Sequence, residues 1–420
     1  MFRVSKIIVL SLLVVAIAVP AFATTSRVAS LGGPARYIND DSDIFRWYGT
    51  LPSYTKMVMA EVGQASATGG TLDGAGVAAD YQALGFTHNW GEDHWLGTWG
   101  IFLLHDNLDD NSFFAFNPLV TPGVELPMPS TKFVLSWGKD LDAVSLGLTF
   151  TRTDGSIEVP NQDPSKIDMH FTTIGAGARF DMGENMYGDA AVTFGFAGGD
   201  INGGWDKSNA YNLEARMFWE FADDATLVPW AGYNAGEFSL EGFPAPSGQK
   251  MSDIGLGAAL NWDVNTNNML IFAAEWDNMT WELSKVDDTV GDDEITKING
   301  TMLPKFYIGL ESDITSWFTF RVGATKEMTK YKVTFNDGTE VTITDLEWVA
   351  DVVGIDPEDV NLDVINDFQW NIGGGFHVGE WDIDAVFSPD LPFRMGYWMT
   401  GYGTGDPDPV VGRISATYRY

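Results

Sequence analysis

The chain ends with Val411-Gly412-Arg413-Ile414-Ser415-Ala416-Thr417-Tyr418-Arg419-Tyr420. Drawn out as a strand, Ile414, Ala416, Tyr418 and Tyr420 share one face, and Arg413, Ser415, Thr417 and Arg419 the other. One apolar and one polar face suit a wall between lipid and water. The edge of a soluble sandwich alternates in the same way, so the rest of the chain must decide.

The opposite end decides part of it. Arg3 and Lys6 precede an uncharged apolar run from Ile7 to Val19, and Ala21-Phe22-Ala23 follows with small residues where a signal peptidase reads. This is the layout of a secretory signal over residues 1–23, with a mature chain from near Thr24; the run is short for a membrane span. The alternative is an N-terminal anchor. The sequence has no cysteine, so an exported chain of this kind holds together by packing and backbone pairing alone.

The composition has 13% aromatic residues, 46 glycines and 45% hydrophobic residues. After the signal no apolar stretch is long enough for a helical span. Only helices and closed barrels satisfy their backbone within lipid, and a barrel needs only half of each strand to be apolar. The formal net charge of -34 argues against nucleic-acid binding. Acid clusters at Asp40-Asp41-Ser42-Asp43, Asp106–Asn111 and Asp287–Glu294. Solvated loops are the plainer reading; Ca²⁺ held at acidic outer loops is the sharper one, although no run matches an EF-hand.

Alternation between turn signals places strands near 57–63, 77–90, 94–105, 131–139, 142–153, 168–181, 187–198 and 209–222. Further strands fall near 225–238, 251–263, 268–282, 302–312, 315–326, 367–379, 381–388 and 410–420. The expectation is an all-β, antiparallel transmembrane barrel of about 16 strands, 14 being the alternative count. Short turns at Gly91–Asp93, Lys139–Asp142, Asp181–Met186, Asp223–Asp224, Val264–Asn267, Asp313–Ile314 and Gly379–Glu380 alternate with longer polar segments. Short periplasmic turns and long extracellular loops are the rule for outer-membrane barrels, and the count leaves both termini in the periplasm. Within 209–222, Tyr211, Leu213, Ala215, Met217, Trp219 and Phe221 point one way, and Asn212, Glu214, Arg216 and Glu220 the other, with Phe218 the exception.

These phases turn Arg179, Glu214, Arg216, Glu220, Glu275, Asp277, Arg321, Asp382, Asp384, Arg413 and Arg419 into the lumen. They are candidates for solute selectivity or for mutual pairing. A barrel of this size holds an aqueous channel unless something plugs it. Two segments could do so. One is 24–56, ahead of the barrel at 57–420. The other is 327–366, where a hairpin is expected around Asn336-Asp337-Gly338-Thr339 and a helix start at Asp356-Pro357-Glu358.

Two resemblances add to this reading. The terminal aromatic, in its strand phase, resembles the C-terminal signature of outer-membrane barrels; the implied partner is the barrel assembly machinery, reading the Tyr420 strand. The stretch Ser30–Trp47 resembles the opening motif of the long-chain fatty-acid outer-membrane transporter superfamily: a Gly-Gly pair, a six-residue spacer, Asp-Asp and then an aromatic. Gly32, Gly33, Asp40, Asp41, Phe45 and Trp47 match it. Tyr48-Gly49-Thr50-Leu51 then stands where the family has Asn-Pro-Ala-Gly-Leu. The resemblance implies a hatch inside the barrel, with Gly32, Gly33, Asp40, Asp41 and Trp47 as its candidate residues.

The function expected is a channel for passive or facilitated passage of small solutes, hydrophobic ones included, in a bacterial outer membrane. The alternative is a plugged, non-conducting structural or secretion-accessory protein. Neither requires a cofactor. His88, His94, His105, His170 and His377 form no catalytic set or metal-ligand spacing in sequence order, so no enzyme is expected. The partners implied are membrane lipid and a small-molecule solute.

Overall fold

A computed structural model describes residues 25–33, 35–64, 80–91, 95–105, 131–158, 166–200, 208–239, 248–284, 295–335, 338, 340–343, 368–387 and 411–420. The signal segment, His94, the acidic runs at 106–111 and 287–294 and the helix start at 356–358 lie outside those residues.

The alternating stretches become β1 (Met57–Gln64), β2 (Asp80–Asn89), β3 (Thr98–His105), β4 (Thr131–Asp140), β5 (Val144–Glu158) and β6 (Lys166–Asp181). Next come β7 (Met186–Asp200), β8 (Asn209–Ala222), β9 (Ala225–Ser239), β10 (Gly248–Asn265), β11 (Asn268–Ser284) and β12 (Ile295–Thr315). The last are β13 (Phe318–Phe335), β14 (Glu340–Ile343), β15 (Phe368–Val378), β16 (Trp381–Phe387) and β17 (Val411–Arg419). All pairings are antiparallel. Met57 of β1 faces Thr87 of β2 on one side and Arg419 of β17 on the other, which closes the sheet. Among the described residues β14 pairs with β13 alone, Thr334 opposite Glu340, so the wall is a 16-strand barrel with one extra strand, from the hairpin expected around Gly338.

The short turns gather at one rim. Leu141 N donates to Val144 O, Met182 N to Met186 O, and Tyr420 N to Lys56 O, which brings the start of β1 and the end of β17 to the same rim. The two-residue turn between β15 and β16 has Gly379 at φ +64, a backbone region that side chains disfavour.

The sides of the wall are inverted relative to a soluble protein. On β5, Leu146, Leu148 and Phe150 are exposed, while Thr149 and Thr151 opposite them are buried. On β8, Tyr211 and Leu213 face outward, whereas Asn212, Glu214 and Arg216 are at most 4% exposed. Apolar groups outside and charges inside are what lipid outside and a polar lumen inside require. Among the described residues no helix is long and apolar enough to cross a membrane. Trp90, Trp95, Trp317, Trp381 and Tyr420 stand exposed near the short-turn rim, as an interfacial aromatic girdle does.

Three sequence expectations need correction. β3 starts at Thr98 rather than 94, because the connection after β2 runs to a Trp90 N to Gly97 O bond. β12 starts at Ile295, not 302, and β13 runs to Phe335, not 326. Alternation fails there because Thr, Lys and Asn occupy both faces, yet the ladder continues, with Lys297 opposite Thr334. Phe218, the apolar exception in the inward register of 209–222, does face inward, 4% exposed and stacked on Tyr187 at 4.8 Å.

Candidate functional site: a charged segment inside the barrel

Residues 25–54 lie against the inward faces of the wall. They form a short helix α1 (Thr25–Ser30) and two 3-10 helices, Asp41–Phe45 and Tyr48–Ser53. The acidic run builds the first of these locally. Asp40 accepts from Ser42 N at 3.0 Å, and Asp43 accepts from Asp40 N at 3.3 Å, satisfying donors at the helix start. Asp40–Asp43 is an interior element and not a solvated loop, the plainer of the readings its acidity offered. Among the described residues no group of His, Cys, Asp or Glu could hold a metal ion.

Glycines on the wall make room for this segment. A Cβ on Gly147 or Gly177 would meet Tyr48 and Gly49, one on Gly323 would overlap the Leu31 carbonyl, and one on Gly373 would strike Ser30. Pro52 lies 2.9 Å from where a Gly138 Cβ would stand. Close approach of two backbones is what strand-interior glycine allows. The Tyr48–Leu51 departure from the family motif is seated here, with Gly49 against the backbone of Ala178 and Arg179. The apolar side chains fill the remaining space. Ile44 and Leu51 pack with Met57, Met59, Phe102 and Leu104, and Trp47 and Tyr48 with Phe218, Val228 and Trp230.

Ion pairs fasten it on several sides. Arg27 reaches Glu311 on β12 at 2.8 Å through both nitrogens. Arg36 reaches Glu275 on β11 at 2.9 Å and lies 3.9 Å over the Trp230 ring on β9. Arg46 clasps Glu214 on β8, at 2.6 Å through Nη2. In the other direction, Arg216 donates to Asp43 at 2.6 Å, to Asp189 at 2.8 Å and to Ile38 O at 3.0 Å. Arg419 holds Asp41 at 2.7 Å and also contacts Asp382. Wall groups interlock behind these. Asp189 also accepts from Arg179 at 2.7 Å, Arg321 bridges Glu311 and Asp384, and Arg413 lies 3.7 Å from Glu61. Burial pushes the carboxyls of Asp41 and Asp43 up to about 6, against the pull of Arg419 and Arg216.

Of the residues that sequence phase turned inward, the structure brings Arg179, Glu214, Arg216, Glu275, Arg321, Asp382, Asp384, Arg413 and Arg419 into these pairs. Asp277 is half-buried beside Gly255 and Trp230, and Glu220 stands exposed near the short-turn rim of β8. Gly32 and Gly33 take φ +87 and +85, Asp40 caps, Asp41 pairs with Arg419, and Trp47 is 1% exposed under the Arg216 guanidinium. Sequence reasoning missed Arg27, Arg36 and Arg46, and Glu311, the partner of Arg27. The available signal was that three arginines, in a chain with only 24 basic residues, stand between the signal segment and the first strand.

No protein-family model matches the sequence, and no curated protein does. Among solved structures, a Pseudomonas aeruginosa FadL homologue is 13% identical, with a TM-score of 0.38 over 95% of this chain and 99% of that one. The Pseudomonas putida toluene transporter TodX is 7% identical, with a TM-score of 0.40 over 94% and 97%. CdiB from Escherichia coli is 10% identical, with a TM-score of 0.42 over 86% and 63%. These are distant likenesses, and the barrel stands on its own strand pairing and its lipid-facing belt. The chain is a transmembrane β-barrel.

Proposed function

We propose that the protein is a gated outer-membrane channel for small polar solutes, closed at rest by its own residues 25–54. The observation that carries this is the fastening of that segment by Arg27, Arg36, Asp41, Asp43 and Arg46 to four different wall strands. A freely conducting pore has no use for a filler, and a filler that never moved would be as well served by apolar contacts. Buried ion pairs lose much of their Coulombic gain to desolvation, so they hold a position without adding much net stability. Further along β5 and β6 from the Tyr48 seat, the inward residues are Thr151, Thr153 and Thr173, with Phe171 the one aromatic among these four, which favours hydrogen-bonding solutes over hydrocarbons. The route needs no chemistry on the solute.

The number of bridges also favours a second reading, a permanently closed structural or accessory barrel. Planar-bilayer recording separates them. The gated channel gives rare openings in the full chain and steady current from a chain lacking residues 24–56. Steady current from the full chain would sink the closed-at-rest claim, and silence from both would move the protein to the accessory class.

A further inference from the structure

Resting on the reading of a channel for small polar solutes, we propose that the inward faces of β9, β10 and β11 bind a small hydroxylated amine, with Asp253 and Asp277 holding its ammonium. The site stands just beyond residues 25–54, on the long-loop side. Away from the short-turn rim, β10 first meets that segment at Asn261, which donates to Tyr37 O at 2.7 Å, and then at Gly257, where a Cβ would strike Tyr37 Oη. Asp253 lies further along, opposite Asn234 of β9, and Asp277 of β11 lies opposite Gly255. Both aspartates are half-buried and so reach the lumen.

They differ from the other carboxylates inside the barrel. Asp43, Asp189, Glu214, Glu275, Glu311 and Asp384 each hold an arginine. Asp253 accepts from Asn234 at 3.3 Å, and its Oδ1 is buried without a partner. Among the described residues Asp277 has no hydrogen bond or ion pair. The neighbouring cations are engaged elsewhere: Arg36 by Glu275, and Lys305, opposite Glu275, by Glu327 at 2.8 Å. Asn212 donates to Glu214 at 3.0 Å and to Asn234, so the amides hold Asp253 in place without bringing it charge. Carboxylates partly out of water and unpaired favour a cation that hydrogen-bonds to them.

Trp230 supplies an independent sign of a ligand. It is 5% exposed, and its Nε1 is buried without a partner. A Cβ on Gly232 would meet its Cζ2 and Cε2, so the N–H edge lies over Gly232, next inward from Asn234; a Cβ on Gly255 would strike both the same ring and Asp277 Oδ1. An orphan donor thus shares one recess with two cation-seeking carboxylates. With glycines behind the ring and Arg36 3.9 Å over it, no bare aromatic face is offered to an apolar solute. Glu214, opposite Gly232, disfavours a carboxylate at the N–H, so a hydroxyl is its fitting partner. A metal fits poorly, since Ca²⁺ takes about six to eight oxygen ligands and no group of three or more His, Cys, Asp or Glu is gathered among the described residues. An amino sugar has the required ammonium and hydroxyls.

Calorimetry on the full chain in detergent tests this with glucosamine at pH 6.5 and N-acetylglucosamine, which keeps the hydroxyls and loses the charge. Glucosamine should bind saturably, and N-acetylglucosamine about tenfold more weakly or worse; Asp253→Asn and Asp277→Asn should each cost glucosamine about tenfold, with heat-modifiability kept. Equal binding of the two sugars, or no binding of glucosamine, would overturn the site. Calcium chloride binding more tightly through the same aspartates would make it a metal site and overturn the amine. Bilayer recording separates this from the channel itself. Saturable glucosamine binding with silence from the full chain and from the chain lacking 24–56 would support the site and sink the channel. Current without glucosamine binding would sink the site alone.

Discussion

Arg216 is the side chain on which the fastening converges, since one guanidinium serves Asp43, Asp189 and the Ile38 carbonyl. In Arg216→Ala, Asp189 keeps Arg179, but Asp43 is left buried without its cation. Stranding such a charge costs about 3–5 kcal/mol, and Arg216→Lys recovers little because a lysine cannot fork to two carboxylates. Openings in bilayer recordings should rise by orders of magnitude in both, with the barrel still heat-modifiable; wild-type silence would show the segment to be held elsewhere. Gly147→Ala acts on the same segment by sterics. Its methyl falls on the Tyr48 carbonyl, and overpacking of this kind costs about 1–3 kcal/mol, again seen as more frequent openings.

Acidification works in the opposite sense to a simple loss of bridges. The docked Asp41 and Asp43 have carboxyls raised to about 6 by burial, from an ordinary value of 3.8. Asp40 lies near both, Arg419 and Thr417 face Asp41, and Arg216 and Asp189 face Asp43. A raised docked value means that the docked state takes up protons first, so docking strengthens as pH falls through about 6 towards 3.8. Openings should be rarer at pH 5 than at pH 7.5, and Asp43→Asn should flatten the difference. More openings at pH 5 would show that bridge loss outweighs the burial cost.

At the scale of the element, legibility follows the solvent on each face. β8 was readable because lipid on one side and a charged lumen on the other sort its residues by parity. The far ends of β12 and β13 were not, because polar residues there fall on both faces while the ladder persists. Residues 25–54 show no period at all: their order comes from the wall, through Gly147, Gly323 and Gly373 and through carboxylates on strands far away in sequence. The Gly-Gly and Asp-Asp spacing pointed to the segment, yet not to the arginines that fasten it. Pro304 is a local conflict of another kind. It lacks a donor, and both ladders of β12 skip at it, between Glu275 and Asn278 on β11 and beyond Leu303 towards β13. Pro304→Val should therefore be neutral or stabilising by up to about 1 kcal/mol in guanidinium unfolding, through one restored ladder bond. A clear loss of stability would mean that the skip is required for the wall's curvature.

For the whole molecule, the closing step is the pairing of its two ends. Seven opposed residues join β1 to β17, from Met57 opposite Arg419 to Gly63 opposite Arg413. Tyr420 lies just beyond this ladder. Its amide donates to Lys56 O, and its ring lies 6.4 Å from Tyr418 and 6.5 Å from His88 at the rim. Tyr420→Ala keeps every backbone bond and removes a half-exposed ring, so the finished barrel should lose no more than roughly 0.5 kcal/mol, as other surface changes do. If the terminal aromatic is instead what the assembly machinery reads, the same substitution should slow the appearance of the heat-modifiable form several-fold in growing cells. The two effects separate cleanly, because one is a rate measured during biogenesis and the other an unfolding midpoint of purified protein. A slowed rate with an unchanged midpoint assigns Tyr420 to recognition. A midpoint that falls in step with the rate assigns it to the wall, and the recognition signal must then lie in the alternation of Ile414, Ala416 and Tyr418.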